Sequence, residues 1–306
     1  MAGSGERSRY VLLTDQPLVE GDDPLGYVEL ADRLAALVLD SRHSTPLAIG
    51  VLGGWGSGKS TLMRRLDTRL RQRDCQAAPV ETVWFNAWTA EGRSVLEGMI
   101  KSVLAVIGPR LVRRHLRRRR LLGGIRFAST VVLSWLGIVR LVDSVWEALS
   151  VDARNRNEMR DLLRESMEDW RRRGAASSGR LLVIFVDDLD RCSPGNVVEV
   201  FEAIRLYLDA PGFVFVIGYD DRMVSRTLRA EKRYEDAAAV AHYLEKIIQI
   251  DYRLPVPDDG QAAALVADLV HRSGTGELLG AAEPRSAGTG SPCCGCTART
   301  PPSPRR

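Results

Sequence analysis

Lysine is scarce. Among 306 residues only Lys59, Lys101, Lys232 and Lys246 are lysines, so arginine supplies nearly all of the 43 basic side chains. An arginine- and alanine-rich chain with so little lysine suggests a GC-rich bacterial genome. Cysteine is sparse as well: Cys75 and Cys192 stand alone, and Cys293, Cys294 and Cys296 crowd the C-terminus. No regular disulfide framework can be drawn from these positions, which points to a reducing cytosol. Met1 to Pro17 contains no apolar core of the kind a secretory signal needs. No internal repeat is visible. The net charge of +4 is small, and 45% hydrophobic with 27% charged residues excludes a wholly disordered chain. The length suits one large domain or two smaller ones.

What is present is an alternation of short apolar runs and helical patterns. Leu30, Leu34, Leu37 and Val38 recur at helical spacing within 25–39, followed by a strand-length run from Pro46 to Leu52 that leads into glycines. Helices are expected over 61–73, 94–107, 152–173, 197–208, 236–249 and 261–271, and strands over 80–87, 181–186 and 213–218. Uniformly apolar strands between helices predict an α/β fold, a doubly wound and mostly parallel sheet covered on both faces. The organisation reads as a polar segment at 1–24, a first half of the core at 25–108, an insertion at 109–150, a second half at 151–272, and a disordered tail at 273–306 rich in Gly, Pro, Ser and Arg.

The sharpest chemical signal is Gly53-Gly54-Trp55-Gly56-Ser57-Gly58-Lys59-Ser60, which satisfies the P-loop pattern in full. Glycines let the backbone curl and aim its N–H groups at phosphate oxygens, and the helix that follows, with Thr61 in its first turn, adds the positive end of its dipole. Lys59 is expected to reach the β- and γ-phosphates and Ser60 to ligate magnesium. The second signal is the strand Leu181 to Val186, ending in Asp187 and Asp188. A buried strand can deliver a carboxylate beside the P-loop, so Asp187 suits the metal and Asp188 the attacking water. Asp190 reads equally well as a cap ahead of Pro194 or as a functional group.

Four stretches carry a wider resemblance: Gly54 to Ser60; Val83-Trp84-Phe85-Asn86-Ala87-Trp88; Val186-Asp187-Asp188-Leu189-Asp190-Arg191-Cys192; and Tyr243-Leu244-Glu245-Lys246-Ile247-Ile248-Gln249, with Leu254-Pro255 after it. Together they resemble the KAP family of P-loop NTPases. The resemblance implies Mg-ATP as ligand, hydrolysis coupled to a conformational switch, and membrane-linked or phage-defence assemblies. It also implies that Arg191 lies near the nucleotide, either sensing it or acting across a contact in a homo-oligomer. Asp220 falls where related NTPases carry a polar sensor, although Asp220 and Asp221 read as a helix cap without the family.

The family places membrane-spanning helices where the 109–150 insertion falls. Here a run of arginines from Arg110 to Arg120 precedes an apolar stretch that contains Arg126 and is followed by Arg140 and Asp143. A span needs about 20 apolar residues, so contact of 110–150 with an anionic membrane surface ranks ahead of a true crossing. A packed helical hairpin and an arginine-rich nucleic-acid patch are the other readings. The expected location is the cytoplasm, attached to the inner face of the membrane if that contact forms. Past Asp258 the family leads to a helical lid, but the tail looks truncated or out of frame, and its three cysteines make a poor zinc site. A nucleotide-binding scaffold without turnover therefore stays open, as does a small-molecule kinase.

Overall fold

The computed structural model describes residues 23–73, 79–90, 95–108, 114, 153–173, 179–207, 210–230 and 236–273. Their strands are β1 (Leu47–Leu52), β2 (Val80–Asn86), β3 (Leu181–Asp187), β4 (Phe213–Tyr219) and β5 (Ile250–Arg253). All pair in parallel, in the order β2-β3-β4-β1-β5. β1, β3 and β4 are buried at every position. Successive side chains point to opposite faces of a strand, so a strand covered on both sides must be apolar throughout.

One face carries α1 (Tyr27–Asp40) and α2 (Lys59–Arg73), packed on Leu47, Ile49, Val51, Val183, Phe185 and Val216. The other carries α3 (Val95–Ile107), α4 (Ala153–Arg171), α5 (Pro194–Tyr207), α6 (Asp221–Ala230) and α7 (Ala237–Glu245), packed on Leu182, Ile184, Val186, Phe213, Phe215 and Ile217. Amphipathic spacing places each helix. In α3 the buried residues are Val95, Met99, Ile100, Val103, Leu104 and Ile107, a single stripe. Each such aliphatic side chain contributes roughly 2 kcal/mol on burial. A doubly wound parallel α/β sheet is the result.

Two differences from the sequence reading have simple causes. The helix expected to reach Gln249 ends at Glu245, and Ile250–Arg253 instead forms an edge strand. This strand alternates charged and apolar residues over only four positions, too few to register as a strand pattern. Helix α6 follows the residues read as a cap, its apolar stripe diluted by three arginines, Arg222, Arg226 and Arg229.

The chain divides into two units, 16–261 and a second comprising 1–15 with 262–306. The described part of the second is the later portion of α8 (Asp259–Ser273), which is mostly exposed. Among the described residues no helix is long and apolar enough to cross a membrane. The insertion at 109–150, Arg114 apart, and the tail beyond Ser273 lie outside the described residues.

The order of the strands matters for the site. β4 lies between β1 and β3, so the strand leading into the P-loop and the strand ending in aspartates share no ladder. Their C-terminal ends nevertheless open on one edge of the sheet, where ligands of such folds bind.

Candidate functional site

The loop leaves β1 with Gly53 N–H donating to the Tyr219 carbonyl at 3.2 Å. Gly56 and Gly58 then adopt φ of 76° and 86°, left-handed values that turn the chain into α2. A Cβ on Gly58 would lie 2.7 Å from the ring of Tyr27. That tyrosine, 2% exposed at the start of α1, donates its hydroxyl to the Ser57 carbonyl at 2.6 Å. Burial, with Asp23 and Tyr252 nearby, pushes its pKa up and keeps it a donor. No local pattern in the sequence reveals this clamp, because its two ends are 30 residues apart.

Lys59 is buried. Its ammonium donates to the carbonyls of Gly53 and Gly54, both at 3.0 Å, and lies 3.6 Å from Asp190 Oδ2. The next residue makes the bridge to the acidic strand: Ser60 Oγ donates to Asp187 Oδ1 at 3.0 Å. Asp188 N–H donates to the same oxygen at 3.0 Å. Burial raises the Asp187 pKa and the charges of Asp188 and Asp190 add to the rise, while the Ser60 and Asp188 hydrogen bonds oppose it.

Asp188 sits at φ 59° and ψ 30°, the only non-glycine with positive φ among the described residues. A side chain there costs about 1 kcal/mol, tolerated when the surroundings fix it. Both carboxylate oxygens are fixed: Asn86 Nδ2 donates to Oδ2 at 2.6 Å, and Arg191 Nε lies 3.0 Å from Oδ1. The Arg191 guanidinium also lies 5.8 Å from the centre of the Trp88 ring. Trp55, at the tip of the loop, is 80% exposed.

The residues singled out in the sequence thus fall in two groups that touch. Gly53, Gly54, Trp55, Gly56, Ser57, Gly58, Lys59, Ser60 and Thr61 follow β1, Asp187 ends β3 with Asp188 and Arg191 after it, and Ser60 joins the two. Asp190 turns to Lys59 instead of capping a helix. Asp220 does cap one, its Oδ1 accepting from the N–H groups of Arg222 and Met223. Asp221 is held below the usual carboxylate range, chiefly by its hydrogen bond from Arg253 at 2.7 Å. Trp84 is part of the scaffold: its indole N–H donates to Asp67, and its ring stacks on Phe185 at 4.7 Å. Gln249 is too, accepting from Ala48 N–H at 2.7 Å where β5 joins β1.

The donors present suit a triphosphate and magnesium. Among the described residues Ser57 Oγ is buried without a hydrogen-bond partner, and α2 opens its N-terminus on the loop. The Ser60 hydroxyl and Asp187 carboxylate are hard oxygen donors, and magnesium typically takes one or two such side chains with phosphates and waters. Among the described residues no group of three or more His, Cys, Asp or Glu could hold a metal by itself.

The sequence profile of the KAP family P-loop domain matches residues 27–280. The phage T7 exclusion protein of Escherichia coli is 25% identical over 267 residues, covering 78% of this chain and 34% of that protein. The chain therefore spans about a third of the length of this relative. Among solved structures, the Aeropyrum pernix ORC1 protein in complex with DNA aligns with a TM-score of 0.43 and 16% identity, over 87% of this chain and 53% of its own. The Walker-type ATPase of Pyrococcus abyssi aligns with a TM-score of 0.39 and 14% identity, over 84% and 61%.

Proposed function

The chain belongs to the KAP family of P-loop NTPases, and on that footing we propose that it binds Mg-ATP at Gly53–Thr61 and hydrolyses it to drive a conformational switch. The observation that carries this reading is the 3.0 Å bond between Ser60 Oγ and Asp187 Oδ1, which joins two motifs 127 residues apart. The loop N–H groups and the positive end of α2 hold the phosphates. Lys59 turns its ammonium toward the β- and γ-phosphate oxygens. Ser60 and Asp187 would hold magnesium, which when bound would offset charge on the phosphates. Asp188 orients a water for attack on the γ-phosphorus. The new P–O bond forms as the bond to the β–γ bridging oxygen breaks, ADP leaves, and the water proton passes through Asp188 to solvent. Arg191, already on Asp188, couples the carboxylate to the nucleotide or to a second subunit.

In this reading 25–108 and 151–272 are the two halves of the NTPase core, and 110–150 contacts an anionic membrane surface on the inner face of the membrane. The name of the relative motivates phage exclusion as the setting. A scaffold that binds without turnover is the second reading, favoured by the engagement of both Asp188 oxygens with Asn86 and Arg191. Phosphate release from ATP and magnesium decides between them. The wild-type chain should release phosphate, and Lys59→Ala and Asp188→Asn should each lower the rate about 100-fold or more. Bound ATP with no release from the wild type would leave the scaffold standing.

A further inference from the structure

An ammonium has three N–H donors, and those of Lys59 face three acceptors. Two are the loop's own carbonyls, Gly53 and Gly54 at 3.0 Å, which move with the lysine. The third, the Asp190 carboxylate at 3.6 Å, comes from a different element, the short turn Leu189–Arg191 after β3. Its neighbours do not share this role, since Asp188 and Arg191 pair with each other. The Lys59 and Asp190 side chains are only 7% and 14% exposed, unlike the open Arg253–Asp221 pair at 65% and 38%. The two carbonyls hold hydrogen bonds, while the carboxylate holds the ammonium by charge at 3.6 Å, so a phosphate oxygen that reaches Lys59 meets Asp190 as its rival.

We propose that Asp190 is a positioning residue of the phosphate site: its carboxylate holds the Lys59 ammonium on the loop and competes for it with the terminal phosphate of an incoming nucleoside triphosphate. This rests on the NTPase reading above and adds a gate to it. A lysine suits such an exchange, being a compact point charge that gives up one acceptor without the planar two-point geometry of arginine. The gate acts on the phosphate that Lys59 meets, so it bears on triphosphates most and on monophosphates least.

Calorimetric binding of ATP, ADP and AMP to the full chain in magnesium, with wild type, Asp190→Asn and Asp190→Glu, tests this. Asp190→Asn should tighten ATP about tenfold, which corresponds to about 1.4 kcal/mol. It should tighten ADP less and leave AMP within about twofold. The gain should persist at about 0.5 M salt, where the field of a distant charge is screened. Asp190→Glu keeps the charge and should bind ATP within about twofold of wild type. A gain shared equally by the three nucleotides, one that salt abolishes, weaker ATP binding, or tenfold tightening in Asp190→Glu as well would each overturn the gate. Should Asp190→Asn fail to fold, Asp190→Ser removes the same charge and should show the same order of tightening, and unchanged ATP binding in it would overturn the gate. A wild-type chain that binds no nucleotide would instead bring down the NTPase reading, and the gate with it.

Discussion

The P-loop turns on glycine, with Gly56 and Gly58 at φ 76° and 86°, whereas the acidic turn after β3 puts Asp188 at φ 59°. In the first segment glycine takes the left-handed turns without a Cβ penalty, and at Gly58 a Cβ would also run into the Tyr27 ring. In the second a carboxylate is wanted at the turning point, and the strain of about 1 kcal/mol is offset by Asn86 and Arg191. The two segments are braced differently as well. Tyr27 holds the loop from outside through a backbone carbonyl, while the turn is held through its side chains. Similar left-handed geometry thus serves two ends, and only the glycine version leaves a pattern that a reader of sequence can recognise.

Breaking the first segment should have the largest effect. Gly58→Ala puts a Cβ into the Tyr27 ring at a positive φ, and the strain and overpacking together should cost about 3 kcal/mol. Thermal unfolding would show this, and a variant melting within a degree of wild type would mean that the loop is softer than its packing suggests. The second segment should show the same preference for glycine, less strongly. Asp188→Gly and Asp188→Ala lose the same hydrogen bonds, but only glycine relieves the left-handed strain, so the Gly variant should be the more stable by about 1 kcal/mol. Equal stabilities would mean that the turn at Asp188 carries no left-handed strain.

The smallest effect concerns Asp187, whose pKa burial raises, with the charges of Asp188 and Asp190 adding to the rise. A raised folded-state pKa favours the protonated carboxyl in the fold. The stability from that preference is full below the unfolded pKa and is lost as pH rises through the folded one. Asp187→Asn cannot ionise, so its stability relative to wild type should climb as pH rises from the ordinary carboxylate range toward neutrality. Denaturant unfolding at several pH values would check the sign.

Much of the fold was legible because its signals are local. Leu181 to Val186 is apolar at every position, which suits a strand buried on both faces, and the glycine loop lies between a strand and a helix. The bridge from Ser60 to Asp187 was implied by the pairing of two motifs, but its geometry was not. What escaped was long-range or short. Asn86 and Asp188 are 102 residues apart, and no pattern near Asn86 names its partner. Asp190 reads equally well as a cap ahead of Pro194 or as a functional group, and nothing local names Lys59, 131 positions earlier in the chain, as its partner. β5 has four residues and sits at an edge, where the burial that makes other strands legible is halved.

The position of β4 between β1 and β3 makes the sheet a calliper. Neighbouring strands lie about 4.8 Å apart, so β1, which leads into the P-loop, and β3, which ends in Asp187, stand about 10 Å apart by a spacing that hydrogen bonding sets and no loop can alter. The gap is kept clear at Gly218, where a Cβ would lie 2.8 Å from Met63 Sδ and 3.4 Å from Asp187 Oδ1. The jaws of such a gauge do not open or close. Whatever motion a bound nucleotide provokes must therefore begin in the loop and the acidic turn at their tips, and travel outward through the helices those tips are attached to.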